Sequence, residues 1–111
     1  MTKRSIEQRI DDILQAIYRI EEYIAGVSEE KFMHTLLIQD AVLRQISIIG
    51  EATKYIGDDI RKKFPQIEWS DIVATRNFVD HEYADVDLQL VWGTLKKDLP
   101  ELKKVLKNLK Q

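Results

Sequence analysis

The last third of the chain sets apolar residues four and three apart without a break: Leu88, Trp92, Leu95, Leu99, Leu102, Leu106 and Leu109. An α-helix turns once every 3.6 residues, so this spacing draws one apolar stripe down one helix face. A strand would need alternation at every second residue, and no run of that kind occurs in the chain. Four glycines and two prolines are also too few to punctuate an all-β fold. The expectation is therefore an all-α protein.

The other segments carry the same period. Ile6, Ile10, Ile13, Leu14, Ile17 and Ile24, with Tyr18 and Ile20 widening the face, form a first helix that Gly26 can end. Ser28 can cap a short turn over Glu29 to Met33. From about Thr35 to Ile56 two stripes coexist: Val42, Ile46, Ile49 and Ile56, and Ala41, Ile48, Ala52 and Tyr55. A helix apolar around so much of its girth is either central to a bundle or shared with a second subunit. Gly50 within it either is simply tolerated or marks the close approach of a neighbour.

Further punctuation follows. Gly57 and Asp58 open a short segment that ends near Phe64, before Pro65. Ser70 is expected to cap a helix starting at Asp71, and Asp85 or Asp87 to cap the last long segment. Pro100 should either kink that segment or sit in the first turn of a new helix capped by Asp98. Four or five helices with short connections predict an antiparallel bundle, one domain over residues 1–111.

Composition narrows the function classes. There is no cysteine, which removes disulfides and thiolate metal sites. The N-terminal MTKRSIEQRIDD lacks the apolar core of a secretory signal, and no apolar run is long enough for a membrane, so a cytoplasmic location is expected. The net charge of -2 is unevenly spread: residues 96–111 hold six lysines against Asp98 and Glu101. That basic face either is merely solvated and suits a helix C-terminus, or offers a landing strip for a polyanion.

The chemistry concentrates in RNFVDHEY, residues 76–83. Arg76 offers a planar fork of donors with a permanent charge. His81 can take and give a proton near neutral pH. Asn77 can orient a ligand or the imidazole, and Tyr83 can donate, stack or be modified. Such a set suits RNA cleavage without a metal. A base takes the proton of a ribose 2′-OH, the oxygen attacks the adjacent phosphorus, a cation steadies the added charge, and an acid protonates the leaving oxygen. Spacing alone equally permits an ordinary helix end with a satisfied histidine.

The wider sequence adds to this. The order R-N-x-x-x-H-x-Y resembles the motif of the HepT-like toxins of the HEPN superfamily. The likeness extends through YRIEEYIAG (18–26), QDAVLRQISIIGEATKYI (39–56), FPQIEWSDIVATRNFVDHEYADVD (64–87) and LVWGTLKKDLPEL (90–102). The resemblance implies a homodimeric HEPN bundle and a metal-independent endoribonuclease that acts as a toxin. It places Arg76 and His81 on the catalytic positions, with Asn77 beside them. It also implies a minimal nucleotidyltransferase antitoxin as partner, which transfers AMP to Tyr83 and uses ATP and magnesium itself; the chain would need no cofactor of its own. The alternative is a catalytically silent helical dimer that binds, and is modified by, the same partner.

Several residues stand apart from the motif. Glu51 lies among apolar neighbours and is expected either to pair with Arg76 or a partner-subunit cation, or to be exposed beside the interface. Asp80, His81, Glu82 and Asp85 lack the second histidine of a usual metal site. With Asp87, the acids Asp80, Glu82 and Asp85 also put negative charge beside Arg76. His34 has no motif around it, and Trp69 and Trp92 read as core anchors.

Overall fold

The computed structural model describes residues 4–76 and 86–110. All the regular structure among them is helical. α1 spans Ile6–Ile24, α2 Glu29–Met33, α3 Leu36–Thr53, α4 Asp58–Lys63, α5 Trp69–Ala74, α6 Leu88–Gly93 and α7 Leu99–Leu109; a π-helical turn, Thr94–Asp98, joins the last two.

α1 begins at a cap that the periodicity did not single out. The Ser5 hydroxyl accepts from the Gln8 backbone N–H at 3.0 Å, and the Gln8 side chain accepts from the Ser5 N–H at 2.8 Å. These two bonds satisfy donors that a helix start leaves unpaired. At the other end Gly26 takes φ +73°, the turn expected of it. α1 buries Ile10, Ile13, Leu14, Ala16, Ile17 and Ile20. They meet Val42, Leu43, Ile46 and Ile49 of α3 in one core, which Ile72, Val91, Leu95, Leu102 and Leu106 complete.

The long helices run antiparallel. Asp11, early in α1, holds Lys110 at the end of α7, while Glu21, late in α1, holds Lys103 at 2.9 Å. α2 packs under the start of α3, with Phe32 fully buried and its ring 5.2 Å from that of Trp92. Ser28 caps α2 as expected, accepting from the Lys31 N–H at 3.1 Å. No described helix is long and apolar enough to cross a membrane.

Two boundaries differ from the sequence expectation. α3 stops at Thr53, because Ile56 folds back to full burial and the freed carbonyls of Thr53 and Lys54 take the Arg61 guanidinium, at 3.0 and 3.4 Å. α5 starts at Trp69 instead of Asp71, with no side-chain cap from Glu68. Trp69 is buried and donates its indole N–H to the Phe64 carbonyl at 2.9 Å, which winds the chain into the helix early. Ser70 therefore lies inside α5 and does not cap it, whereas Asp87 caps α6 as expected, accepting from the Gln89 and Leu90 N–H groups at 3.1 and 3.2 Å.

Pro100 sits in the first turn of α7 with Asp98 at its N-cap position, one of the two expected arrangements, and does not break the helical path. Proline lacks an N–H and crowds the carbonyl four residues earlier. The turn just before it widens to π geometry, with the Leu99 N–H reaching the Thr94 carbonyl, and Asp98 makes no side-chain cap bond. The helical path continues, and Leu95, Leu99, Leu102 and Leu106 all stay buried.

Candidate functional site

The expected site residues divide between two situations. Arg76 and Glu51 are described; Asn77, His81 and Tyr83, with Asp80, Glu82 and Asp85, lie outside the described residues. The described residues thus include Arg76 and the frame that carries it.

α5 delivers Arg76. This short helix packs against the C-terminal half of α3, with Ile72 almost wholly buried. Its last turn is closed by Thr75, whose hydroxyl donates to the Ile72 carbonyl at 2.5 Å while the side chain is buried. The Thr75 hydroxyl is thus satisfied within its own turn.

The helices meet at Gly50. A Cβ placed there would lie 2.9 Å from the Arg76 backbone nitrogen, 3.0 Å from the Arg76 Cβ and 3.1 Å from the Thr75 Oγ1. Such distances are closer than van der Waals contact permits, so the approach requires glycine. Of the two readings of Gly50, close approach is the one the structure shows.

The next residue on α3 is Glu51, and its Oε2 accepts from Arg76 Nη1. The expected pairing is thus present within one chain. The side chains are 37% and 45% exposed. An ion pair this wet contributes roughly 0–1 kcal/mol. It can hold the guanidinium in a direction without making it costly to release to a stronger anion.

Beside Glu51 runs a groove of about 290 Å³ between α1 and α3, lined by Arg9, Asp12, Ser47, Ile48, Glu51 and Ala52. Arg9 lays its guanidinium 4.1 Å from the ring centre of Tyr55, the residue that follows Lys54 at the end of α3. Asp12 is held by a bidentate fork from Arg4, at 2.7 and 2.9 Å. Sequence reasoning put Tyr55 in an apolar stripe and passed over Arg9; nothing in a single arginine on α1 signals that it will face α3.

The other singled-out residues take structural places. Trp69 is a core anchor, Trp92 is half-buried against Phe32, and His34 ends α2 with its backbone N–H on the Lys31 carbonyl. The six lysines of the tail are divided. Lys103 and Lys110 pair with Glu21 and Asp11, and Lys96 stands over the Trp92 ring.

The fold defines a class, a small all-helical bundle, in which an arginine–carboxylate pair joins α3 to the residue after α5 beside a groove. The sequence comparisons make the class specific. The family described as Ribonuclease HepT-like matches residues 13–109. A Thermococcus cleftensis protein named as a probable ribonuclease HepT is 37% identical over 98% of this chain and 99% of its own length. A Methanocaldococcus jannaschii protein named as a candidate RNase is 36% identical over 94% of this chain and 95% of its own. A similarly named Caldanaerobacter subterraneus protein is 33% identical over 92% and 91%. No solved structure matches the chain. The chain belongs to the HepT-like family of HEPN-type proteins.

Proposed function

We propose that this protein is a ribonuclease, and that it cuts RNA without a metal as the toxin of a toxin–antitoxin pair. Family membership and the names of its relatives support the ribonuclease reading. The observation that carries the residue roles is the placement of Arg76. It follows the short helix α5, is packed against Gly50 and is held by Glu51, which lines a groove.

The chemistry follows from the side chains. His81 takes the proton of the ribose 2′-OH, whose oxygen attacks the adjacent phosphorus. The bond to the 5′ oxygen breaks, and that oxygen receives a proton from a histidine acting as acid. The products are a 2′,3′-cyclic phosphate and a 5′-hydroxyl. Arg76 leaves Glu51 to hold the non-bridging oxygens, where a fork of charged donors is strongest as negative charge builds up. Asn77 orients the two, and Tyr83 is the hydroxyl that a nucleotidyltransferase antitoxin modifies with AMP. A homodimer brings two such motifs to one cleft, and Leu36, Leu37 and Leu90, at 74%, 79% and 55% exposure, supply apolar surface for it.

The test is cleavage of single-stranded RNA by the purified chain in excess chelator. The wild type should cut and leave cyclic phosphate ends. Arg76→Ala and His81→Ala should each lower the rate by about a hundredfold or more. A wild type as inert as both variants would end the ribonuclease reading; cleavage that stops in chelator would end the metal-free one.

A further inference from the structure

We infer that the groove between α1 and α3 is an RNA subsite, in which Arg9 receives a backbone phosphate next to the one held by Arg76. The inference rests on the ribonuclease reading and extends it to a surface outside the RNFVDHEY stretch.

Three observations converge on the groove. The first is position: Glu51 both lines it and holds Arg76, so the groove and the proposed reacting arginine are contiguous. The second is an uncommitted cation. Arg9 makes no ion pair among the described residues, and its Nε is buried without a hydrogen-bond partner. Its guanidinium lies over the Tyr55 ring, which fixes the plane of the group and leaves its charge unneutralised. An arginine made rigid in this way loses little side-chain freedom when it takes a phosphate.

The third is local charge. Both carboxylates of the groove are already engaged, Asp12 by Arg4 and Glu51 by Arg76. Lys54 adds its ammonium 5.6 Å from the Tyr55 ring centre. Among the described residues, the pairs Asp12–Arg4 and Glu51–Arg76 each cancel, which leaves the charges of Arg9 and Lys54 at the groove. Ser47 offers a hydroxyl on the same wall. A volume of about 290 Å³ falls at the small end of ligand sites, roughly 300 Å³ upward, which suits one nucleotide unit of a longer strand. The shared chemistry, a phosphodiester with cations on both sides, is that of a single-stranded polyanion.

The experiment is the salt dependence of binding of a single-stranded RNA octamer, with cleavage of the same RNA measured in parallel. Arg9→Gln should weaken binding about tenfold and lower the slope of log K against log salt by about 0.7, the loss of one phosphate contact. Arg9→Lys, which keeps the charge, should retain the slope. A structural role for Arg9 would shift the melting midpoint and leave the slope alone. If wild type cuts the RNA and Arg9→Gln retains the wild-type slope, the groove assignment falls while the ribonuclease reading stands. If wild type neither cuts nor binds RNA, both fall. Should Arg9→Gln fail to fold, Lys54→Gln, at an exposed position, decides by the same slope.

Discussion

A single methyl group decides whether Arg76 can stand where it does. At position 50 it would press on the Arg76 backbone nitrogen at 2.9 Å, and a backbone atom cannot swing aside as a side-chain tip could. Gly50→Ala brings two opposed effects. Alanine favours the helix by about 1 kcal/mol, while overpacking a close contact costs about 1–3 kcal/mol. Overpacking should win, with a net loss near 1 kcal/mol in a denaturant titration. The larger effect should be on cleavage, lowered roughly tenfold to a hundredfold, because the shift lands on the group that meets the phosphate. Adding Glu51→Gln should cost little more, since both changes act through the same guanidinium. Additive losses would show that Gly50 and Glu51 do not work through Arg76.

At the scale of elements, the join between α6 and α7 is where local chemistry bent the rule of regular geometry. Pro100 forces a π turn, and Asp98 ends up half-buried in it without a cap to satisfy. Burial, the largest cause, pushes the Asp98 carboxyl above the ordinary carboxylate range; Lys97 pulls it down, and Glu101, Asp71 and Glu68 push it further up. The folded state therefore holds the Asp98 proton more tightly than the unfolded chain does. From the ordinary carboxylate pKa upward to the folded one, stability must fall as pH rises, and the charged form is disfavoured at neutral pH. Asp98→Asn should accordingly raise the melting midpoint at pH 7 and lose that advantage below the ordinary carboxylate range. An unchanged midpoint at pH 7 would count against a burial penalty at Asp98.

The whole molecule presents a different question, since Leu36 and Leu37 open α3 with their side chains in water. A chain of this size has little reason to leave neighbouring leucines bare, and with Leu90 they offer the surface that the proposed homodimer would cover. Leu37→Glu should convert a dimer to a monomer in sedimentation equilibrium, without lowering helix content. A variant that sediments like the wild type would place any dimer elsewhere.

The secondary structure was legible almost entirely in the sequence. Spacing of three and four fixed the helical class, and the Ser28 cap, the Gly26 turn and the Leu88 to Leu109 stripe all lie in local chain chemistry, which needs only neighbours within a turn or two. The boundaries that shifted did so for reasons beyond that range: Trp69 bonding to Phe64 and Ile56 folding into the core. The motif residues Arg76, Asn77, His81 and Tyr83 could be named from their order, and of these Arg76 alone falls in the described structure. That Gly50 would be a contact point, that Glu51 would meet Arg76 across 25 positions and that Arg9 would lie on Tyr55 were settled by tertiary packing. Local patterns determine which face of a helix is apolar. Only the packing of those faces determines which polar residues at their margins come within reach of one another.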